Sequence, residues 1–208
     1  MFTLENVSIG GSIVYVIKYN HFPIEDFFHI LHPVEHARLQ TFSSEKRRME
    51  YVATRILKET IFPDTLIQYN KEGAPFIENA AHISVSHCKG ASAIAVCTDH
   101  MIGLDIEPMS NKAQRLQSKF INSDESCFLN TGDALAMTRA WSCKESLLKL
   151  ARRKGLIFKR DLLIESVIEH DQFLCSIHTD AQKKYVNLTS KVVDNIIITI
   201  NHTDLYSR

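Results

Sequence analysis

Two acidic residues lie on one face of a short predicted strand, where they could hold a cation. In the run IGLDIE (102–107), strand alternation places Asp105 and Glu107 on one face with Gly103, and the three aliphatic residues on the other. Carboxylates spaced in this way lie about 6–7 Å apart and can share a hard divalent ion, while the glycine leaves room for a ligand. A solvated acidic face of an edge strand is the alternative interpretation.

A second group of reactive side chains lies on a predicted helix. Trp141, Glu145 and Lys149 are four residues apart and therefore stack along one helix face. Taken alone, they are an ordinary Glu–Lys pair, worth about 0.3–0.5 kcal/mol, beside a core tryptophan. If Glu145 meets Asp105 and Glu107 in space, three carboxylates would suit Mg²⁺ and leave coordination positions for phosphate oxygens.

Other side chains have chemistry suited to phosphate. Ser86 and His87 end a predicted strand, where the alternative is a local turn with an exposed histidine. Arg48 and Arg55 share one face of a predicted helix, and their guanidinium groups could clamp a phosphate or simply be solvated. Residues 144–160 form the one strongly basic stretch, which suits a helix C-terminus and could also steer an acidic partner.

Two long helices and several strands are predicted to position these residues. The first helix is capped by Ser43 or Ser44, and the longer second helix begins at Asp133 and runs to about residue 154. Gly155 suits the C-terminal cap of the second helix. Strand-like runs follow each helix, which favours an α+β fold with antiparallel sheets. The repeated order of one long helix and several strands also suggests an internal duplication.

The chain is expected to divide into two halves that pack against each other. No low-complexity linker separates residues 1–100 from residues 101–208, and the second half carries the acidic motifs. A seam between two packed halves is a typical place for a ligand. We therefore expect the ligand site at this seam.

Composition argues against several classes of protein. The 208 residues include 24 basic and 24 acidic side chains, and zero net charge disfavours a general nucleic-acid binder. The five cysteines are odd in number and widely spaced, which is typical of neither a disulfide framework nor a zinc site. No apolar run approaches the ~20 residues that span a membrane, and the N-terminal residues lack a signal-peptide pattern. These features predict a cytoplasmic protein.

The motifs in this order resemble the 4′-phosphopantetheinyl transferase superfamily, of the monomeric surfactin-synthetase-activating type. The family pattern (I/V)-G-(I/V/L)-D-(I/V)-E appears at 102–107, and W-x-x-K-E-x-x-x-K appears at 141–149. Upstream, the G-x-P turn appears at 73–75, the S-H pair at 86–87 and the arginine-rich helix at 47–55. Each motif is weak alone, whereas the two core motifs together are specific.

The resemblance implies a pseudo-twofold α+β fold in which each half packs a long helix on a mainly antiparallel sheet. It implies coenzyme A bound between the halves and Mg²⁺, or alternatively Mn²⁺, held by Asp105, Glu107 and Glu145. The implied reaction moves 4′-phosphopantetheine from coenzyme A to a serine hydroxyl of an apo acyl or peptidyl carrier protein and releases 3′,5′-ADP. The implied enzyme is a monomer.

The resemblance also implies roles for individual residues. To these we add the hypothesis that Glu145 takes the serine proton, directly or through a metal-bound water, and that Lys149 stabilises or protonates the departing phosphate. The family often has lysine between the glycine and proline of the turn, and here that residue is Ala74. Lys71 or Arg55 is the expected substitute in contacting the 3′-phosphate of the coenzyme. The coenzyme-binding residues expected in full are Arg48, Arg55, Lys71, Gly73, Pro75, Ser86 and His87.

Two alternative functions stay open at this point. The first is a catalytically silent module that binds coenzyme A or a carrier protein, although all three acids and Lys149 are present. The second is a metal-dependent nuclease or phosphohydrolase that uses Asp105 and Glu107. A typical nuclease strand carries E-x-K, whereas Pro108 and Met109 follow Glu107 here.

Overall fold

Two antiparallel sheets form the centre of the molecule. The computed structural model describes residues 2–78, 80–179 and 182–207. The first sheet has, from edge to edge, β1 (Phe2–Ile9), β2 (Ser12–Tyr19), β6 (Ala91–Cys97) and β5 (His82–Cys88). The second has β7 (Leu104–Pro108), β11 (Ile196–Asn201), β10 (Lys183–Val193), β9 (Gln172–His178) and β8 (Leu162–Glu169). A separate ribbon pairs β3 (Gln68–Tyr69) with β4 (Pro75–Phe76).

Each large sheet is covered by one long helix. The helices are α1 (Pro33–Gln40), α2 (Glu45–Ile61), α3 (Lys112–Leu116), α4 (Ser123–Ser126) and α5 (Ala134–Ala151), with 3-10 turns at Ile24–Ile30 and Gln117–Lys119. The longest two, α2 and α5, pack on the first and the second sheet, respectively. The α+β class with antiparallel sheets is thus confirmed. No helix in the described residues is long and apolar enough to cross a bilayer.

Both long helices begin where their capping residues predict. Ser44 Oγ accepts a 3.5 Å hydrogen bond from the Arg47 amide, and the Asp133 carboxylate accepts from the amides of Leu135 and Ala136. These contacts satisfy backbone donors that have no partner inside the helix.

The predicted end of α5 is wrong. The helix stops at Ala151, and its C-cap is Arg152, which has φ 46° and ψ 35°, rather than Gly155. The helix-favouring side chains of residues 152–154 suggested a longer helix, but the chain turns away earlier. Glycine is the usual residue in this left-handed conformation.

The two sheets meet through serine side chains of β5. Ser84 Oγ accepts a 2.9 Å hydrogen bond from the Leu104 amide, and Ser86 Oγ accepts one of 3.1 Å from the Ile106 amide. Ser84 pairs with Leu104 and Ser86 pairs with Ile106, so residue numbers increase in the same direction along both strands. The strands β5 and β7 therefore run parallel to each other. The hydroxyls take the place of backbone carbonyls, and β7 is held at the seam between the sheets.

The aliphatic face of β7 is buried as its alternation predicts. Ile102, Leu104 and Ile106 pack with Val14 of β2 and Ile198 of β11 in an apolar layer shared by both sheets. Burial of these side chains holds the acidic face of β7 in a fixed orientation toward α5.

Gly103 makes room for helix α5. The sequence-based prediction that it makes room for a ligand is wrong. A Cβ atom at Gly103 would lie 2.2 Å from the Ser146 carbonyl oxygen and 2.8 Å from the Leu150 amide nitrogen. Ser146 Oγ in turn donates hydrogen bonds of 2.7 Å to the Gly103 carbonyl and 2.9 Å to the Thr199 carbonyl. The absence of a side chain therefore lets α5 lie directly on β7.

Candidate active site at the contact of a helix and a strand

A ladder of hydrogen bonds joins α5 to the acidic face of β7. Trp141 Nε1 donates to Glu107 Oε1, Ser142 Oγ donates to Asp105 Oδ2, and Lys149 Nζ donates to Asp105 Oδ1, each at 2.8 Å. The helix runs antiparallel to the strand, so residues eight apart on α5 reach acids two apart on β7. The sequence-predicted face of α5 and the acidic face of β7 are thus brought together.

Glu145 lies on the same face of α5, within the electrostatic reach of both strand acids. Burial, and after it the negative charge of Asp105, raise the pKa of Glu145 to about 7, against the opposing positive charge of Lys149. Within the described residues, no hydrogen-bond donor contacts its carboxylate. Glu145 is therefore a half-buried acid that is poorly compensated when ionised.

Glu107 has a similar environment. Burial raises its pKa, the charge of Asp105 adds to the shift, and the hydrogen bond from Trp141 lowers it. Two carboxylates with raised pKa values beside a third indicate a site where negative charge exceeds the local positive charge.

The three acids fit a divalent cation in their donor chemistry. Carboxylate oxygens are the ligands that Mg²⁺ and Mn²⁺ prefer, and the raised pKa values of Glu107 and Glu145 mark a deficit of positive charge. Yet no group of three or more acidic, histidine or cysteine side chains is arranged to hold a metal in the described ranges. Asp105 is engaged instead by Lys149 and Ser142. Metal binding therefore requires these side chains to rearrange around Asp105.

Ser86 is placed differently from the sequence prediction. Its buried hydroxyl donates a 3.2 Å hydrogen bond to Asp105 Oδ1 and accepts bonds from the Ile106 amide and, at 2.7 Å, from Lys149 Nζ. All of its hydrogen-bonding capacity is used within the protein. Ser86 thus supports Asp105 and Lys149 and does not face the cavity described next.

A cavity of about 530 Å³ adjoins the acidic cluster, of a size that suits a cofactor. It is lined by α2, the turn between β3 and β4, β5 and the C-terminal end of α5, and so by elements from both sides of the seam. Its wall includes several of the residues predicted to bind coenzyme or to react: Arg55, Gly73, Pro75, His87 and Lys149. Three residues predicted to bind coenzyme, Arg48, Lys71 and Ser86, are absent from this lining, and so are the three acids Asp105, Glu107 and Glu145.

His87 lies in the cavity wall beside a cation of α2. Its Nε2 atom contacts the Arg47 guanidinium, and its Nδ1 atom lies 3.5 Å from Glu50 Oε2. Burial lowers the pKa of His87, and the charges of Arg47 and Lys149 lower it as well, against the opposing charge of Glu50. A neutral imidazole here accepts a hydrogen bond from Arg47 and holds that guanidinium at the cavity.

Arg55 lies in the cavity wall, but its side chain is buried and bonded to other residues of the protein. Only 2% of its side chain is exposed, and its Nε donates a 3.0 Å hydrogen bond to Glu35 Oε1. Its Nη2 donates to the Tyr69 hydroxyl at 3.2 Å, and the guanidinium lies 3.7 Å from the centre of the Tyr51 ring. The charge of Arg55 is therefore already matched by Glu35.

Lys71 and Arg48 lie away from the cavity. The Lys71 side chain is 90% exposed and its Nζ lies 3.7 Å from Glu72 Oε1. Arg48 is half-buried on α2, and within the described part of the chain its buried Nε has no hydrogen-bond partner. The cavity-lining face of α2 is centred on Arg47, Glu50, Tyr51 and Thr54, so Arg55 lies at the margin of this face and Arg48 lies just outside it.

For Lys144, the interpretation of residues 144–160 as a basic surface that steers an acidic partner is wrong. It is fully buried, with Nζ 2.6 Å from Glu125 Oε1 and 3.0 Å from the Phe158 carbonyl. Glu125 also accepts a 2.9 Å hydrogen bond from the Ile164 amide. This ion pair ties α5 to α4 and β8, so Lys144 stabilises the fold.

Sequence reasoning also missed residues that take part in the site. Ser142 had no signal beyond its place inside the tryptophan–lysine motif, although it binds Asp105. Arg47 and Arg152 carry no sequence signal beyond their places in the arginine-rich helix and the basic stretch, yet both line the cavity. Their positions depend on packing between distant segments, which residue spacing does not encode.

Residues 101–200 match the model of the 4′-phosphopantetheinyl transferase superfamily. The matched segment runs from the start of the β7 motif to β11 and includes all three acids and Lys149. No match was found among curated proteins.

Proposed function

We propose that this chain, a member of the 4′-phosphopantetheinyl transferase superfamily, modifies an apo acyl or peptidyl carrier protein. It would transfer 4′-phosphopantetheine from coenzyme A to a serine hydroxyl and release 3′,5′-ADP. The observation that carries the proposal is the contact of α5 with β7, which joins Lys149 to Asp105 at the edge of the cavity. The superfamily itself implies a phosphopantetheinyl-type transferase, with coenzyme A and a carrier protein as partners.

The charge of the cavity suits the phosphates of coenzyme A. Its wall carries cations from two directions, with Arg47 on α2 and Lys149 on α5. His87 keeps the Arg47 guanidinium at the wall through their contact. We propose that these groups position the diphosphate between the seam and the acids, because positioning and charge neutralisation dominate phosphoryl transfer.

We propose that Asp105, Glu107 and Glu145 hold Mg²⁺, or alternatively Mn²⁺. When bound, such an ion supplies neutralisation of the diphosphate charge. Asp105 would exchange its bond with Lys149 for this ligand role, and Lys149 would then be free to turn toward a phosphate. Ser142 would keep its hydrogen bond to the other oxygen of Asp105 and maintain the carboxylate orientation.

Glu145 would accept the proton of the substrate serine. Burial and the charge of Asp105 raise the pKa of this carboxylate to about 7 before a metal ion binds, so it is intrinsically more basic than an ordinary glutamate. The serine oxygen forms a bond to the phosphorus that carries pantetheine, and the bond from that phosphorus to the bridging oxygen breaks. The electron pair leaves with 3′,5′-ADP, and Lys149 stabilises the charge that develops on its 5′-phosphate.

The same proposal includes the organisation of the chain. Residues 1–100 would supply the α2 and hairpin walls of the coenzyme site at the seam, and residues 101–208 would supply the acids and Lys149. One chain would act as a monomer, since both walls of the cavity come from it, and the widely spaced cysteines suit the reducing cytoplasm.

Intact-mass spectrometry tests the transfer. Several apo carrier proteins are incubated with coenzyme A and the protein, with Mg²⁺ or with a chelator. We expect one carrier to gain the mass of a single phosphopantetheine group, with loss of the gain in chelator and on replacing its acceptor serine by alanine. Coenzyme A binding without any mass gain would instead identify a catalytically silent binding module.

A further inference from the structure

The expected cation for the 3′-phosphate of coenzyme A is missing from the β3–β4 turn. Ala74 occupies the place, and no atom lies within 4 Å of a Cβ built on the adjacent Gly73, so the turn borders open space. Neither predicted substitute is available. Lys71 lies outside the cavity lining, and Arg55 is buried against Glu35.

Arg152 is a cavity cation without a counterion. It is half-buried in the wall, and the described residues provide no hydrogen-bond acceptor or ion-pair partner for its guanidinium. Burial lowers the pKa of Arg152, a cost that nothing in its surroundings offsets. By contrast, Arg47 lies 3.4 Å from Glu50 and Lys149 lies 2.8 Å from Asp105. An unpaired, partly desolvated guanidinium in a cavity is suited to binding an anionic ligand.

The backbone of Arg152 gives independent support. Its φ of 46° lies in the left-handed region, where glycine is normally found because other residues are strained. Strained conformations of this kind concentrate at functional sites. A glycine at this helix end would relax the backbone, so an arginine at this position costs the fold stability.

The position of Arg152 separates it from the reacting diphosphate. Lys149, which contacts Asp105, lies about one helical turn before Arg152 on α5. Arg153 and Lys154, which follow Arg152 in the chain, also line the cavity, so this end of the wall is rich in cations. A second phosphate on the same ligand would meet this end of the wall while the diphosphate stays near Lys149.

We propose that Arg152 binds the 3′-phosphate of coenzyme A and so makes the site selective for coenzyme A over 3′-dephospho-coenzyme A. This inference rests on the proposed function, because it assumes coenzyme A in the cavity. Arg152 takes over the contact that the Ala74 position does not provide.

Calorimetric titration with the two ligands tests the assignment. The proteins compared are the unaltered chain, Arg152→Ala, Arg152→Gly and the control Lys191→Ala, which removes an exposed cation of β10 outside the cavity lining. We expect both Arg152 variants to bind coenzyme A about 10- to 100-fold more weakly and to bind the dephospho ligand within about twofold of the unaltered chain. Arg152→Gly relieves the backbone strain, so its lost affinity would not arise from misfolding.

Each outcome decides a separate question. If the unaltered chain binds coenzyme A but the Arg152 variants weaken both ligands equally, or neither, this inference is wrong and the proposed function stands. If the unaltered chain binds neither ligand, the proposed function and the inference fail together. The assignment is supported if both Arg152 variants lose affinity for coenzyme A but keep their affinity for the dephospho ligand, while Lys191→Ala binds both ligands as the unaltered chain does.

Discussion

Lys149 and Asp105 form an ion pair, with Nζ 2.8 Å from Oδ1, at the edge of a cavity that reaches across the seam. The pair joins a residue of α5 to a residue of β7 that precedes it by 44 positions. Among the described residues, Lys149 is the only cation bonded to the acidic cluster, and it occupies the side of Asp105 where a metal ion would bind. Lys149 and a metal ion are therefore expected to compete for this carboxylate.

Removing the competing lysine should tighten metal binding. In Lys149→Ala, Asp105 loses its positive partner, so affinity for Mg²⁺ should rise on the order of 10-fold while transfer activity falls. Calorimetric titration with Mg²⁺ alone measures the affinity. Lys159→Ala, which removes an exposed cation bonded to the Ser118 carbonyl, is the matched control. Weaker Mg²⁺ binding by Lys149→Ala would contradict the competition.

Trp141 should report metal binding directly. It is the one tryptophan of the chain, and its indole donates a hydrogen bond to Glu107. Because metal ligation changes the charge and position of this carboxylate, Mg²⁺ should shift Trp141 fluorescence in a saturable manner. Glu107→Gln should abolish or greatly weaken the response. An unchanged response in that variant would remove Glu107 from the ligand set.

Thermal stability should decrease with rising pH because of Glu145. Its folded pKa of about 7 lies above the ordinary 4.5, so the folded state binds this proton more tightly than the unfolded state. The contribution is present below about pH 4.5 and is lost as pH rises through 7. Melting curves should show this decline reduced in Glu145→Gln, and Mg²⁺ should restore stability at pH 8. A decline that persists unchanged in Glu145→Gln would assign it to other groups.

The buried pair of Lys144 and Glu125 should matter most for stability. In Lys144→Met the carboxylate stays buried without its counterion, which should cost about 3–5 kcal/mol of unfolding free energy. Urea denaturation measures the loss, and the exposed Lys159→Met should change stability by no more than about 0.5 kcal/mol. Equal stability of the two variants would show that Lys144 is not a structural residue.

Gly103 should tolerate no side chain. In Gly103→Ala the new Cβ would meet backbone atoms of α5, which do not yield as a flexible side chain does, so we expect a loss of at least about 2 kcal/mol. Gly132→Ala is a suitable control, because its Cβ would have an ordinary 3.4 Å contact with Asn130 Oδ1. Denaturation midpoints compare the two. A stable Gly103→Ala variant would mean that α5 can move away from β7.

The local arrangement of the reactive groups can be predicted from the order of residues alone. Alternation along β7 put Asp105 and Glu107 on one face, and helical spacing put Trp141 and Lys149 on one face of α5. The caps fixed where both long helices begin, as Asp133 shows. These features depend on residues within a few positions of one another, because backbone geometry repeats over two residues in a strand and 3.6 in a helix.

Which of these groups meet, and which already have partners, depends on how the chain packs. Arg55 forms an ion pair with Glu35, which lies 20 positions earlier in the chain. Ser86 forms a hydrogen bond with Asp105 because β5 lies beside β7 at the seam. The turn after α5 places Arg152 in the cavity. Contacts between distant segments follow from how the whole chain packs its apolar faces, and the spacing of residues along a single helix or strand carries no information about them.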